Sequence, residues 1–386
     1  MKRFLFFVCT LVFIGTTKAQ TYNSYYGGIV ANTSASNVLN DLTTFESFGI
    51  KTLGSTALTN TQNWITARYQ SLGYTNVVLQ PFTHNGKTTN NIIVTKTGTV
   101  YPNTFLIIDA HYDTINGPGT NDNGTGTVLL LELARLLKDV ATEYSIKFIH
   151  FSGEEAGLIG SQYYVNTTVI PQNMDIKLVF NIDEVGGVNG MTNNTVVCER
   201  DQSSPPSNNA ASAAATTVLA NCIELYSNLN TEISYAYASD YIPFENNGEI
   251  ITGLYEKNIS PVNHTANDNL ANMDPVYAYE VIKGSLGAAM EFSVAYDASL
   301  GVDDTTFDAS ITMYPNPASK NMTISFKNPL QASVDFKLVD IQGKEIVSKT
   351  LTQQTEQISV DSLSKATYLA VFKIGNQRSI KKVILN

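Results

Sequence analysis

The stretch TFLIIDAHYD, residues 104–113, is an apolar run that breaks directly into His111 and Asp113. Its apolar residues occupy successive rather than alternate positions, the pattern of a strand covered on both faces. Two further runs repeat it. SIKFIHFS (145–152) stops beside Glu154 and Glu155, and IKLVFNID (176–183) stops on Asp183. Between them, Thr125 to Val140 and Leu158 to Asn166 carry apolar residues at helical spacing. Strands alternating with helices predict a three-layer αβα domain around a mostly parallel central sheet.

Working outward, Ala35 to Phe48 and Ala57 to Leu72 read as helices, with Asn60 and Thr61 as start signals for the second. Asn76 to Phe82, Asn91 to Lys96, Thr195 to Glu199 and Ile250 to Tyr255 read as further strands. Ala210 to Leu229 and Pro275 to Tyr296 read as helices, the latter opened by Asp274 and Pro275. After Asp297 the character changes. Residues 298–310 are small and polar and read as a linker. Residues 311–386 hold short β runs between Asn-Pro, Gln-Gly-Lys and Gly-Asn turns, which predicts a small all-β sandwich. Charge divides at the same place: residues 20–304 carry 11 basic and 28 acidic side chains, and residues 305–386 carry 10 and 6. Opposite net charges fit two domains.

The 386 residues are 43% apolar and 15% charged, a globular composition, and no period of a repeat protein is present. The net charge of −10 argues against a nucleic-acid partner. Lys2 and Arg3 precede an apolar run from Phe4 to Gly15, and Thr17-Lys18-Ala19 offers small residues for cleavage, so residues 1–19 read as a secretory signal peptide. The run falls short of the about 20 apolar residues that span a bilayer, so no stable membrane span is expected. Cys9 would leave with it. Cys198 and Cys222 remain, and two buried thiols are favoured over a disulfide, because two cysteines alone do not specify a bridge.

The residues that could carry chemistry cluster at strand ends. They are His111, Asp113, Asp122 in the GTNDNGTG loop, Glu154, Glu155 and Asp183, with His264 in a later loop. In open α/β sheets the ligand crevice lies beyond the carboxyl ends of the strands, so these groups converge. Each has an ordinary reading taken alone. Asp122 could cap the helix near Thr125. His111 could be a core histidine, and Glu154 and Glu155 could answer a helix dipole. Asp183 could close a turn at Gly186-Gly187, and His264 could be a solvated loop residue. Together they form an acidic cluster that repels itself without a cation. Imidazoles with carboxylates suit zinc, and five donors exceed one tetrahedral site, which points to two ions with one carboxylate shared.

His111-Tyr112-Asp113-Thr114, Asn121-Asp122-Asn123-Gly124-Thr125-Gly126, Ser152-Gly153-Glu154-Glu155-Ala156-Gly157-Leu158, Asn181-Ile182-Asp183 and His264-Thr265-Ala266-Asn267-Asp268 resemble, in order and spacing, the secreted dizinc aminopeptidases of the bacterial leucyl aminopeptidase type, a family that also includes glutaminyl cyclases. The resemblance covers roughly residues 37–295. It implies a hydrolase that removes N-terminal residues from peptide substrates with two Zn2+ ions. His111 and Asp183 would hold one ion, Glu155 and His264 the other, and Asp122 would bridge. Asp113 would fix the His111 ring, and Glu154 would be the general base. Cyclase members have Trp before the last His, where this chain has Asn263; the alternatives kept are a cyclase and a non-catalytic binding module. Tyr235, Tyr237 and Tyr241 crowd Ser239-Asp240, and the oxyanion donor is left open among them. Met313-Tyr314-Pro315-Asn316-Pro317-Ala318, Gly343, Ala366-Thr367-Tyr368 and the terminal Lys381-Lys382-Val383-Ile384 resemble the type IX secretion sorting domain. That resemblance implies export through the type IX machinery to the cell surface or medium, via the periplasm.

Overall fold

Strand TFLIIDAHYD lies at the heart of an eight-stranded sheet in the computed structural model, which describes residues 20–236, 238–298, 305–330, 332–340, 344–374 and 377–386. The signal-peptide expectation for residues 1–19, and the turns at Gly343 and at Gly375-Asn376, lie outside the described residues. Two compact units divide the chain, Met1–Ala295 and Tyr296–Asn386.

In the first unit the strands are β1 (Val78–His84), β2 (Lys87–Lys96), β3 (Tyr101–His111), β4 (Tyr144–Phe151), β5 (Asp175–Ile182), β6 (Thr195–Arg200), β7 (Asn230–Tyr235) and β8 (Ile251–Glu256), in the order β1-β2-β4-β3-β5-β8-β6-β7. The central run β4-β3-β5-β8 is parallel, whereas β1, β2 and the β8-β6 pair are antiparallel. Successive side chains of a strand point to opposite faces. Leu106, Ile108 and Ala110 of β3 therefore pack with Phe148, Phe180 and the helices on one side, while Ile107 packs with Ile149, Val179 and Ile251 on the other.

The helices of the larger layer are α1 (Ser24–Val30), α2 (Ala35–Ser47), α3 (Thr56–Ser71) and α4 (Gly124–Leu137). The opposite layer holds α5 (Ile159–Tyr164), which continues through a π turn (Val165–Val169) into α6 (Ile170–Gln172). The chain then adds α7 (Asn209–Tyr226), α8 (Ile242–Asn246) and α9 (Pro275–Ser293). Tyr241 and Phe244 place α8 with α5, while Leu219, Ile223, Val281 and Leu286 place α7 and α9 in the larger layer. The sheet is thus covered on both faces.

The structure moves several expected boundaries. Ser55, not Asn60 or Thr61, caps α3, its hydroxyl accepting from the Leu58 N–H. A cap outside the apolar pattern carries no periodic signal. The helix from Pro275 stops at Ser293, where Val294 turns left-handed, short of the expected Tyr296. Cys198 and Cys222 are buried free thiols.

In the second unit β9 (Ile311–Tyr314), β10 (Asn321–Phe326) and β13 (Thr355–Ser359) form one antiparallel sheet. A second is built by β12 (Glu345–Leu351), β11 (Val334–Asp340), β14 (Thr367–Ile374) and β15 (Gln377–Ile384), again antiparallel throughout. Met322, Ile324, Phe336, Phe372 and Val383 are buried between them. The expected linker of 298–310 is shorter than read: Thr305–Ser310 is a helix, α10, and its Phe307 joins this β core. One apolar residue in a polar stretch anchors it.

Gly126 shows how tightly α4 is seated under the sheet. A Cβ there would fall 2.5 Å from both the Ile182 carbonyl oxygen and Asn123 Oδ1. Gly126→Ala is therefore expected to destabilise the first unit by about 1–3 kcal/mol, the ordinary cost of overpacking, read from urea unfolding.

Candidate metal centre

Helix α4 begins with Asn123, whose Oδ1 accepts from the Gly126 N–H at 2.9 Å. The capping role open to Asp122 from sequence is thus taken by its neighbour, and the Asp122 carboxylate turns to the sheet edge. There Asp122 Oδ1 lies 3.2 Å from His111 Nε2, and Asp122 Oδ2 lies 2.9 Å from His264 Nε2. Asp183 Oδ1 stands 3.3 Å from the same His111 nitrogen, and Glu155 Oε2 stands 3.0 Å from the same His264 nitrogen. Two triads result, His111-Asp122-Asp183 and Asp122-Glu155-His264, with donor atoms in each within 4.8 Å of one another. Asp122 belongs to both.

Glu154 and Glu155 precede α5 rather than lying in its first turn, since the helix starts at Ile159. Consecutive side chains there diverge. Glu155 faces His264, while Glu154 Oε2 sits 3.9 Å from His111 Nε2. Asp113 meets the His111 ring through its main chain. The His111 ring Nδ1 meets the Asp113 backbone oxygen at 3.1 Å, and the carboxylate is farther, at 3.9 Å. The Asp113 carboxylate instead accepts from the Glu154 N–H at 3.2 Å, so it positions the turn that carries both glutamates.

The residues around this set were mostly not singled out from sequence. Ser239 Oγ donates to Asp183 Oδ2 at 2.7 Å. Asp268 accepts from the backbone N–H groups of Asn121 and Asp122, at 2.8 and 3.1 Å. Asn121 Nδ2 donates to Glu256 Oε1 at 2.9 Å, and Glu256 Oε2 accepts from Gly187 N–H at 2.6 Å. Glu256 ends β8, so the strand-end rule that found Asp183 reaches it too. Of the three tyrosines, Tyr241 is buried and its hydroxyl donates to Glu199 Oε1 at 3.1 Å, and Tyr235 is exposed beside Arg200. Tyr237 lies outside the described residues.

The donor chemistry fits divalent cations, and so does an unpaired oxygen. Glu155 Oε1 is buried with no hydrogen-bond partner among the described residues, while Asp122 Oδ2 and Asp183 Oδ1 face the imidazole nitrogens of His264 and His111. Burial works to raise Asp122, but hydrogen bonds from His111 and His264 outweigh it and hold the carboxyl below its usual range. Burial first, with Asp122 adding to it, pushes Glu155 up; burial, then Asp183 and Asp122, pushes Glu184 up. A cation removes this mutual repulsion. Beside Glu155 opens a cleft of ≈ 330 Å³ lined by Thr52, Leu53, His84, Lys87 and Asp113.

An α/β sheet carrying imidazole and carboxylate donors beyond its strand ends is suited to holding divalent cations in the ligand crevice. The chain belongs to Peptidase family M28, which its residues 91–286 match. Residues 312–386 match the secretion system C-terminal sorting domain, so the second unit marks a secreted or cell-surface protein. Among the described residues no helix is long and apolar enough to cross a membrane. Aminopeptidase YwaD of Bacillus subtilis is 40% identical over 110 residues, 28% of this chain and 24% of that protein, so the chain spans about a quarter of that relative's length. Two solved structures share the fold. BSAP, a zinc aminopeptidase from Bacillus subtilis, superposes with TM-score 0.59 at 16% identity, over 69% of this chain and 98% of that one. Macrostomum lignano glutaminyl cyclase superposes with TM-score 0.64 at 16% identity, over 73% and 96%.

Ser239→Ala removes a hydrogen bond that orients Asp183. It is expected to weaken divalent-ion retention about 10–100-fold with the fold intact, read by competition against a chelator.

Proposed function

We propose that the chain is a secreted zinc aminopeptidase working with two ions. The observation that carries this reading is the position of Asp122 in both triads, between His111 and His264. Asp122 would bridge; His111 and Asp183 would complete one site, Glu155 and His264 the other. Zinc bound there supplies Lewis-acid activation of a water and of the scissile carbonyl. Glu154 is the residue left to move protons. Its Oε2 takes the proton of the attacking water and returns it to the leaving amine nitrogen. Burial raises this carboxyl above its usual range, which favours proton uptake. Its place is fixed through its own N–H by Asp113.

The acid surplus supports an exopeptidase. Glu184 and Asp183 line a recess with Ser239, and a protonated N-terminus would meet carboxylates there that an acylated one would not. Names of the similar proteins agree, in that YwaD and BSAP are both aminopeptidases. The cyclase likeness speaks for the fold, and Asn263 before His264 and a full five-donor set favour the hydrolase over a transferase or a binding module.

Glu154→Gln is expected to keep its zinc and lose about 10²–10⁴ in kcat on a leucine amide substrate, the size of a general-base contribution. Glu155→Gln is expected to lose zinc. Equal metal content in the two variants would contradict the division of roles, and cleavage of N-acetylated peptides as fast as free ones would contradict the exopeptidase reading.

The C-terminal unit contributes no residue to either triad, and we propose that it directs export by the type IX route. A chain ended at Asp297 is expected to match the full chain in kcat/KM when purified from a foreign cytoplasm. In the native host it should collect in the periplasm. Secretion of the shortened chain at the normal level would refute the export role.

A further inference from the structure

The cleft of ≈ 330 Å³ beside Glu155 is lined in part by the β1-β2 hairpin, whose His84 and Lys87 face it together with Leu53, Ile115 and Ala156. Its volume lies at the small end of the roughly 300–1,000 Å³ of ligand pockets, so it suits a short leaving group.

Local structure fixes the hairpin tip. Asn85 and Gly86 form the turn with φ of 49° and 74°, the left-handed pair that Asn-Gly adopts readily. That turn sets His84 directly opposite Lys87, and opposed residues share a face. Farther back, Phe82 is buried and stacks on Tyr163 with ring centroids 5.5 Å apart, and the Thr83 and Thr88 hydroxyls meet at 3.1 Å. Gly54 seats the lysine. A Cβ there would stand 3.1 Å from both Lys87 Cβ and Cγ, and Gly54 has a φ of 76°, so only a bare residue lets the Lys87 stem lie so close to the turn at 52–55.

Two acids line the cleft, and both are already engaged. Glu155 is a donor of the second triad, and Asp113 accepts from the Glu154 N–H. Lys87 has no ion-pair partner among the described residues, although acidic side chains outnumber basic ones 28 to 11 over residues 20–304. A seated cation that the local acids leave unpaired is available to an anionic ligand.

The position of the cleft says which part of a peptide meets it, on the reading of the site as an aminopeptidase. The recess at Asp183 and Glu184 adjoins the first triad, and this cleft adjoins the second. A peptide laid across both, with its N-terminus in the recess, sends the residue after the scissile bond into the cleft. We propose that Lys87, with His84 beside it, receives a carboxylate on that residue. The preferred substrates are then peptides whose second residue is either C-terminal or acidic. Lys87 sets specificity and takes no part in the bond cleavage.

The test measures release of the first leucine by zinc-loaded full-length protein from two pairs of peptides. Leucyl-leucine against its amide reads a main-chain carboxylate, and leucyl-aspartic acid α-amide against leucyl-asparagine amide reads a side-chain one. In at least one pair the carboxylate is expected to raise kcat/KM by about 10-fold or more, the size of a hydrogen bond to a charged group, and that pair identifies the source. Lys87→Met keeps the stem over Gly54 and is expected to bring the ratio close to one, chiefly through KM, whereas Lys87→Arg is expected to retain it. Loss of folded protein lowers both members of a pair alike and leaves the ratio. Equal cleavage within both pairs by the wild type overturns this proposal and leaves the aminopeptidase reading standing, as does a preference that Lys87→Met retains. A wild type that cleaves none of the four peptides overturns the aminopeptidase reading itself, and this proposal with it.

Discussion

Repulsion among the carboxylates at the carboxyl edge of the sheet is the constraint on which the first unit depends. Asp122, Glu154, Glu155 and Glu184 are brought together beside Asp183 in a place where burial disfavours the charges of those four. The fold answers with directed hydrogen bonds. Asp268 grips two backbone N–H groups of the Asn121-Asp122 turn, Asn121 links that turn to Glu256, and Asp113 holds the Glu154 N–H. The bonds of Asp268 and Asp113 fix backbone and that of Asn121 ties its turn to β8, so the donor atoms of each triad stay within 4.8 Å of one another.

The central strands explain why this is affordable. Continuous apolar runs in β3, β4 and β5 are buried on both faces, and they end abruptly in polar residues. A rigid parallel core then presents the loops that follow it along one edge. The turn at Gly126 is part of the same arrangement, because α4 must pass close beneath the Ile182 carbonyl for Asp122 to face His111.

Much of this is legible in the amino-acid sequence. Apolar runs and strand-end acids carry the αβα layering and bring His111, Asp122, Glu155 and Asp183 together, because both follow from local pattern and from where parallel strands must end; His264, in a later loop, joins them only through the family resemblance of its motif. What escaped depends on contacts between distant segments. Ser239 lies in a loop with no strand pattern, and only the folded chain carries its hydroxyl to Asp183, 56 residues away in sequence. Asp113 is expected to fix the His111 ring, and it is its backbone oxygen that meets Nδ1, with the carboxylate farther off, a distinction that residue type does not encode. The antiparallel β8-β6 pairing and the helix Thr305–Ser310 likewise arise from tertiary packing, which periodicity over a few residues does not register.

The central claim is that Asp122 serves two ions at once. Zinc content per chain, measured by plasma mass spectrometry on the wild type and on Asp122→Ala, tests it most directly. The account requires close to two zinc ions in the wild type and the loss of both in the variant. A wild type fully active with one tightly held ion, or a variant that keeps one, would contradict it.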